Sequence, residues 1–142
     1  MKISDITSRR LITIPSDASV LEASRHMVQN NVGLLIVCDE KAKPRLVGVI
    51  SERDVLRAIA SGDRLPDRVA AISTKQVVTV KGSSDVAEAA KAMNKHRIRH
   101  VVVVDDRDNP VGVVSMRDLV GERSTLKSIL QSNEKDIFVG GD

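Results

Sequence analysis

Aromatic residues are almost absent: Phe138 stands alone, and there is no Trp or Tyr. Single-stranded nucleic acid is usually held by bases stacked on aromatic rings, so that class of partner loses its platform. One cysteine, Cys38, excludes a disulfide framework and fits a reducing compartment. It closes the apolar run Leu34–Cys38, where a small buried hydrophobe is expected. No apolar run approaches the roughly 20 residues that span a bilayer. Met1-Lys2-Ile3-Ser4-Asp5 lacks the basic-then-apolar layout of a signal peptide. The expected location is cytoplasmic. The single Cys and the dispersed His26, His96 and His100 offer no zinc-ligand spacing. A net charge of +3 is mildly basic, and the charges are scattered rather than blocked.

What is present is a repeat. Gly48-Val49-Ile50-Ser51-Glu52-Arg53-Asp54 returns as Gly112-Val113-Val114-Ser115-Met116-Arg117-Asp118, 64 positions later. Thr13, Val20, Glu22, Ala23, Met27, Val37 and Asp39 return 66 positions later as Thr79, Val86, Glu88, Ala89, Met93, Val103 and Asp105. Two copies of one supersecondary unit are thus expected in a chain of 142 residues, the size of one compact domain.

The first half reads as strand, helix, strand, strand, helix. Leu11–Ile14 is extended and ends at Pro15; Ser16 and Asp17 supply the cap of a helix carrying Val20, Ala23, Met27 and Val28. Asn30 and Asn31 break that helix. Leu34–Cys38 and Leu46–Ile50 are strands about a polar turn at Asp39–Arg45. A second helix bears Val55, Leu56 and Ile59 and stops at Ser61-Gly62-Asp63. The second half follows suit: Val77–Val80 extended, Ser83 to Lys95 helical, Val101–Val104 and Val111–Val114 as strands about Asp105–Pro110. Met116–Val120 opens a helix that Gly121 interrupts, and Ser124 to Leu130 resumes it. The fold class expected is α/β (α+β), two β-α-β-β-α repeats about a pseudo-twofold axis. The repeats are assigned to 1–63 and 64–121, linked by Arg64–Ala70, with a C-terminal helix and a tail from Asn133 over 122–142. Ile3 and Ile6 match Val69 and Ile72, so each repeat has a short lead-in turn.

Ser51-Glu52-Arg53-Asp54 and Ser115-Met116-Arg117-Asp118 both fit the capping box at a helix start. Capping alone accounts for Ser and Asp, and a tight strand entry for Gly48 and Gly112. The same residues also suit a nucleotide. A helix start presents backbone donors to anions, Asp accepts from a vicinal diol such as ribose, and Arg offers a fork of donors to phosphate. The two roles are compatible.

The doubled Gly-hydrophobic-hydrophobic-Ser-x-x-Asp, with Ile98-Arg99-His100 before the strand that ends at Asp105, resembles a tandem cystathionine-β-synthase-type (CBS) domain pair, or Bateman module, of the stand-alone bacterial type. The resemblance runs from Ile3 to about Val120. It implies repeats packed sheet against sheet with two clefts for adenosine-containing ligands such as AMP, ATP or NAD. One site would join Ser51, Arg53 and Asp54 with Thr79, Val80, Ile98, Arg99 and His100. The other would join Ser115, Arg117 and Asp118 with Thr13, Ile14, Val32, Gly33 and Leu34. Asp would hold ribose hydroxyls, Ser and Arg phosphates, and the aliphatic residues adenine. Arg99 and His100 stand where the first half has Gly33 and Leu34, so the site containing Asp54 is expected to be the more cationic. The family often carries Pro where Ile36 and Val102 stand here.

No catalytic constellation accompanies these phrases. Ser51 and Ser115 have no neighbouring His in sequence, and Asp54 and Asp118 belong to separate sites. The reading is therefore a regulatory nucleotide sensor, not an enzyme, with no catalytic cofactor and an unidentified effector protein. The resemblance also implies a homodimer formed through helices, including Val20–Val28, Val55–Ile59, Val86–Met93 and the C-terminal helix. The alternatives are a structural or interaction module without a regulatory ligand and, motivated by a pI near 9.2, nucleic-acid binding.

Overall fold

The computed structural model describes residues 1–8, 11–39, 45–62, 67–121 and 123–132. Its elements run β1 (Thr13–Pro15), α1 (Val20–Asn30), β2 (Leu34–Asp39), β3 (Arg45–Ser51), α2 (Glu52–Ser61), β4 (Thr79–Lys81), α3 (Val86–His96), β5 (His100–Val104), β6 (Pro110–Ser115), α4 (Met116–Gly121) and α5 (Arg123–Ser132). The expected β-α-β-β-α order is present twice, and the fold is mixed α and β. The turn expected over Asp39–Arg45, the link over Arg64–Ala70 and the tail from Asn133 lie wholly or partly outside the described residues.

Each sheet has three strands. β2 is central in the first, parallel to β1 and antiparallel to β3; β5 is central in the second, between β4 and β6. Pro15 is tolerated because β1 is an edge strand. Val, Ile and Leu alternate across the sheets. Leu35, Val37 and Ile50 join Ile14, Ala23 and Met27 in one core. Val101, Val103 and Val114 join Val86, Ala89 and Met93 in the other. Where the resemblance implies Pro, Ile36 donates its N–H to the Ile12 carbonyl at 2.9 Å. Val102 likewise donates to Val78 at 3.1 Å. A proline has no N–H to give, so these residues extend the parallel pairing instead of interrupting it.

The chain divides into two compact units: Leu11–Val77, and Met1–Arg10 with Val78–Asp142. The lead-in of each repeat therefore folds with the sheet of the other. Both lead-ins begin with a 3-10 turn, Ile3–Asp5 and Val69–Ala71. Thr74 exchanges two backbone hydrogen bonds with Val49 of β3, at 2.9 and 2.8 Å. Ser8 does the same with Val113 of β6, at 3.1 and 3.0 Å. Ile3 and Val69 are each fully buried in the unit they join.

Several local expectations need correction. The cap of α1 is Ser19, whose hydroxyl accepts from the Glu22 N–H at 3.0 Å, not Ser16 or Asp17. α3 starts at Val86 behind Asp85 rather than at Ser83. The intervening turns tie back to neighbouring strands, Ser16 N–H to Cys38 and Ser84 N–H to Lys81, which delays helix entry. Val28 belongs to α1 but is 80% exposed, off the core stripe of Val20, Ala23 and Met27. Leu56 and Ile59 are exposed as well, leaving Val55 to pack on the core. Cys38 is only partly buried, near the end of β2 and on the sheet face opposite Leu35 and Val37.

Candidate functional site

Both Ser-x-x-Asp phrases lie where a strand hands over to a helix, β3 to α2 and β6 to α4. In the first, the Ser51 N–H donates to Asp54 Oδ2 at 2.9 Å, and the Asp54 N–H donates to Ser51 Oγ at 3.2 Å. In the second, Ser115 N–H donates to Asp118 Oδ2 at 2.8 Å, and Asp118 N–H to Ser115 Oγ at 3.2 Å. Two reciprocal capping boxes are thus formed, satisfying backbone donors that a helix start leaves without partners.

The two boxes then diverge. The Ser51 hydroxyl also donates to Asp54 Oδ2 at 3.0 Å, and the Thr74 hydroxyl donates to Asp54 Oδ1 at 3.4 Å. Both oxygens of Asp54 are engaged within the unit. Among the described residues, Asp118 accepts only at Oδ2, through the Ser115 N–H. Arg53 and Arg117 are exposed beside their phrases.

The glycines that open the phrases have a structural cause. A Cβ on Gly48 would lie 2.7 Å from the carbonyl oxygen of Thr74. On Gly112 it would meet the Ser8 carbonyl oxygen at 2.5 Å and crowd the Thr7 side chain. Each strand carries glycine because a lead-in backbone crosses directly over it.

Each phrase also sits beside the helix-to-strand corner of its own unit. Leu34 lies opposite Ser51 in the β2–β3 register, and the Glu52 N–H donates to the Gly33 carbonyl at 3.0 Å. His100 lies opposite Ser115 in β5–β6, and the Met116 N–H donates to the Arg99 carbonyl at 2.8 Å. Residues directly opposite share a sheet face, so Leu34 with Ser51, and His100 with Ser115, face away from the helix-side cores. Thr13, opposite Ile36, and Thr79, opposite Val102, lie on those same faces and are exposed.

Of the other residues implied by the resemblance, Ile14 is 1% exposed and part of a core. Val32 packs against that core, and Val80 and Ile98 pack against the other. Their side chains serve the fold, and the Val32 and Ile98 N–H groups donate to the Met27 and Met93 carbonyls, each at 3.0 Å. The corners turn because Asn31 and Arg97 adopt the left-handed conformation, with φ of 52° and 53°. Thr74 went unnoticed in the sequence reading, yet a signal was available. The hydroxyl pair Thr7-Ser8 returns as Ser73-Thr74 at the same 66-residue interval as the rest of the repeat.

Residues 3–61 and 69–124 match the family model for the CBS domain. The chain belongs to the CBS domain family. A CBS domain protein from Pyrobaculum aerophilum, complexed with AMP, is similar over 93% of this chain and 100% of its own, at 35% identity and a TM-score of 0.85. The CBS domain pair of protein MJ0100, in complex with 5′-methylthioadenosine and S-adenosyl-L-methionine, covers 85% of this chain at 32% identity and a TM-score of 0.76; 94% of that pair is matched. L-aspartate semialdehyde sulfurtransferase of Methanocaldococcus jannaschii is 33% identical over 82% of this chain, a match to 22% of that protein. The similarity to that enzyme is confined to a part the size of the CBS pair. Among the described residues, no helix is long and apolar enough to cross a membrane.

Proposed function

We propose that this CBS pair is a regulatory module that binds adenosine-containing ligands, of the AMP, ATP or NAD kind, and performs no chemistry on them. The observation that carries the reading is the Ser-x-x-Asp phrase, built twice in the same geometry in a chain similar to an AMP-complexed relative. Asp54 and Asp118 accept the ribose hydroxyls; Ser51, Arg53, Ser115 and Arg117 serve the phosphates. Arg99 adds a positive charge, and His100 a hydrogen-bonding ring, that Gly33 and Leu34 do not. Thr13 and Thr79 complete the polar contacts, with Leu34 and the backbones of Ile14, Val32, Val80 and Ile98 against the base. Ligand binding acts through differential affinity for two arrangements of the protein, which an effector protein then reads.

Absorbance tests this reading cheaply, because a chain without Trp or Tyr barely absorbs at 280 nm. A 260 nm peak in purified protein, released on denaturation and filtration, supports it. Clean protein that also shows no thermal shift with AMP, ATP, NAD or S-adenosylmethionine contradicts it. It would favour instead a structural module, a reading that the internally engaged Asp54 supports.

A homodimer belongs to the same proposal. Leu21, Val28, Leu56 and Ile59 are all more than half exposed on α1 and α2. In the other unit, α5 packs on α3 and buries Ile129 to 3% exposure. A second copy of the chain supplies the cover that α1 and α2 lack among the described residues. Leu56→Asp with Ile59→Asp should convert a dimer to a monomer in light scattering; a monomeric wild-type chain contradicts the assembly.

A further inference from the structure

The two Asp grips differ in what already occupies them. Thr74 belongs to the lead-in that crosses β3, and its backbone is fixed by the paired hydrogen bonds to Val49. That anchoring brings the Thr74 hydroxyl to Asp54 Oδ1 at 3.4 Å. The opposite oxygen, Oδ2, is taken by the Ser51 N–H and hydroxyl. A ribose diol needs acceptor positions on the same carboxylate. Asp118 keeps Oδ1 without a donor among the described residues, although Ser8 stands at the matching backbone bridge on β6.

We propose that Thr74 is an internal competitor for the carboxylate of Asp54, and that it makes the first Ser-x-x-Asp grip the weaker of the two for ribose. The inference rests on the nucleotide reading above. The Thr74 hydroxyl occupies one position where a ribose hydroxyl would donate, and it has to turn away before the ligand docks. Its bond is long and its side chain exposed, so water takes over that hydroxyl and the barrier is modest. A net hydrogen bond of ordinary strength corresponds to about two- to tenfold in affinity. The consequence is a smaller ribose contribution to binding at the Asp54 grip than at the Asp118 grip.

The test uses AMP and isothermal titration calorimetry on the full chain. Asp118→Ala isolates the Asp54 grip, with Asp118→Asn as a milder alternative should the alanine variant fold poorly. Adding Thr74→Val, which removes the hydroxyl but keeps the branched shape, should tighten AMP binding by about two- to tenfold. Thr74→Ser should leave it within about twofold, because the donor is retained. Thr74→Val in an Asp54→Ala background should change nothing. If the wild-type chain binds no AMP at all, the nucleotide reading fails and takes this inference with it. If the wild type binds AMP but Thr74→Val leaves the isolated Asp54 grip unchanged, weaker or still silent, Thr74 is not a competitor and only this inference falls.

Discussion

A Cβ on Gly48 would come within 2.7 Å of the Thr74 carbonyl oxygen, closer than such contacts tolerate. The glycine is therefore a steric requirement of the crossing lead-in. Gly48→Ala and Gly112→Ala should each destabilise the fold by about 1–3 kcal/mol, the cost of forcing extra volume into a packed site. Denaturant unfolding followed by circular dichroism checks this, since the chain lacks Trp and Tyr for intrinsic fluorescence. Alanine variants as stable as wild type would show that the lead-ins do not hold these positions.

Capping and ligand binding share the same atoms, so they separate only by measuring both. Ser51→Ala and Ser115→Ala each remove the oxygen that accepts from the N–H of Asp54 or Asp118. Each should cost about 1 kcal/mol of stability in ligand-free protein. Unchanged unfolding midpoints would mean that neither box contributes to the fold.

The left-handed corners offer a test in the opposite direction. Arg97 adopts φ of 53°, a conformation that costs a side chain with a Cβ and costs glycine nothing. Arg97→Gly should stabilise the protein by about 0.5–1 kcal/mol, read as a higher thermal midpoint. A lower midpoint would show that the arginine side chain supports the corner more than its backbone strains it.

Asp105 organises the β5–β6 turn. The backbone N–H of Asn109, and next that of Arg107, donate to its carboxylate and hold its pKa below the usual value. A carboxylate with a depressed folded pKa stabilises above its unfolded value, and that stability is lost as pH falls through the folded pKa. The wild-type advantage over Asp105→Ala should thus be full at neutral pH and shrink below about pH 4. An advantage that stays constant down to pH 2 would contradict this role.

The repeat made the double β-α-β-β-α order legible, because periodic Val, Ile and Met positions recur with the chain path. The capping boxes were legible too, since Ser-x-x-Asp is a local pattern acting within one helical turn. The exchange of lead-ins was not. Ile3 and Val69 announce a buried turn, but nothing local says which sheet buries it. Ile14, which the resemblance implies at a ligand site, has its side chain in a core, because strand alternation gives two faces without naming the inner one. Thr74 escaped notice because its partner, Asp54, is 20 positions away and is reached only through the exchanged lead-in. The caps of α1 and α3 were placed early, since Ser16, Asp17, Ser83 and Ser84 all resemble caps before Ser19 and Asp85.

The most direct test of the account is AMP binding by wild type, Asp54→Ala, Asp118→Ala and the double variant, with ligand-free stability measured alongside. The account predicts that wild type binds AMP, that each single variant loses about one site, and that the double variant loses both while remaining folded. Undiminished AMP binding by the folded double variant would contradict it.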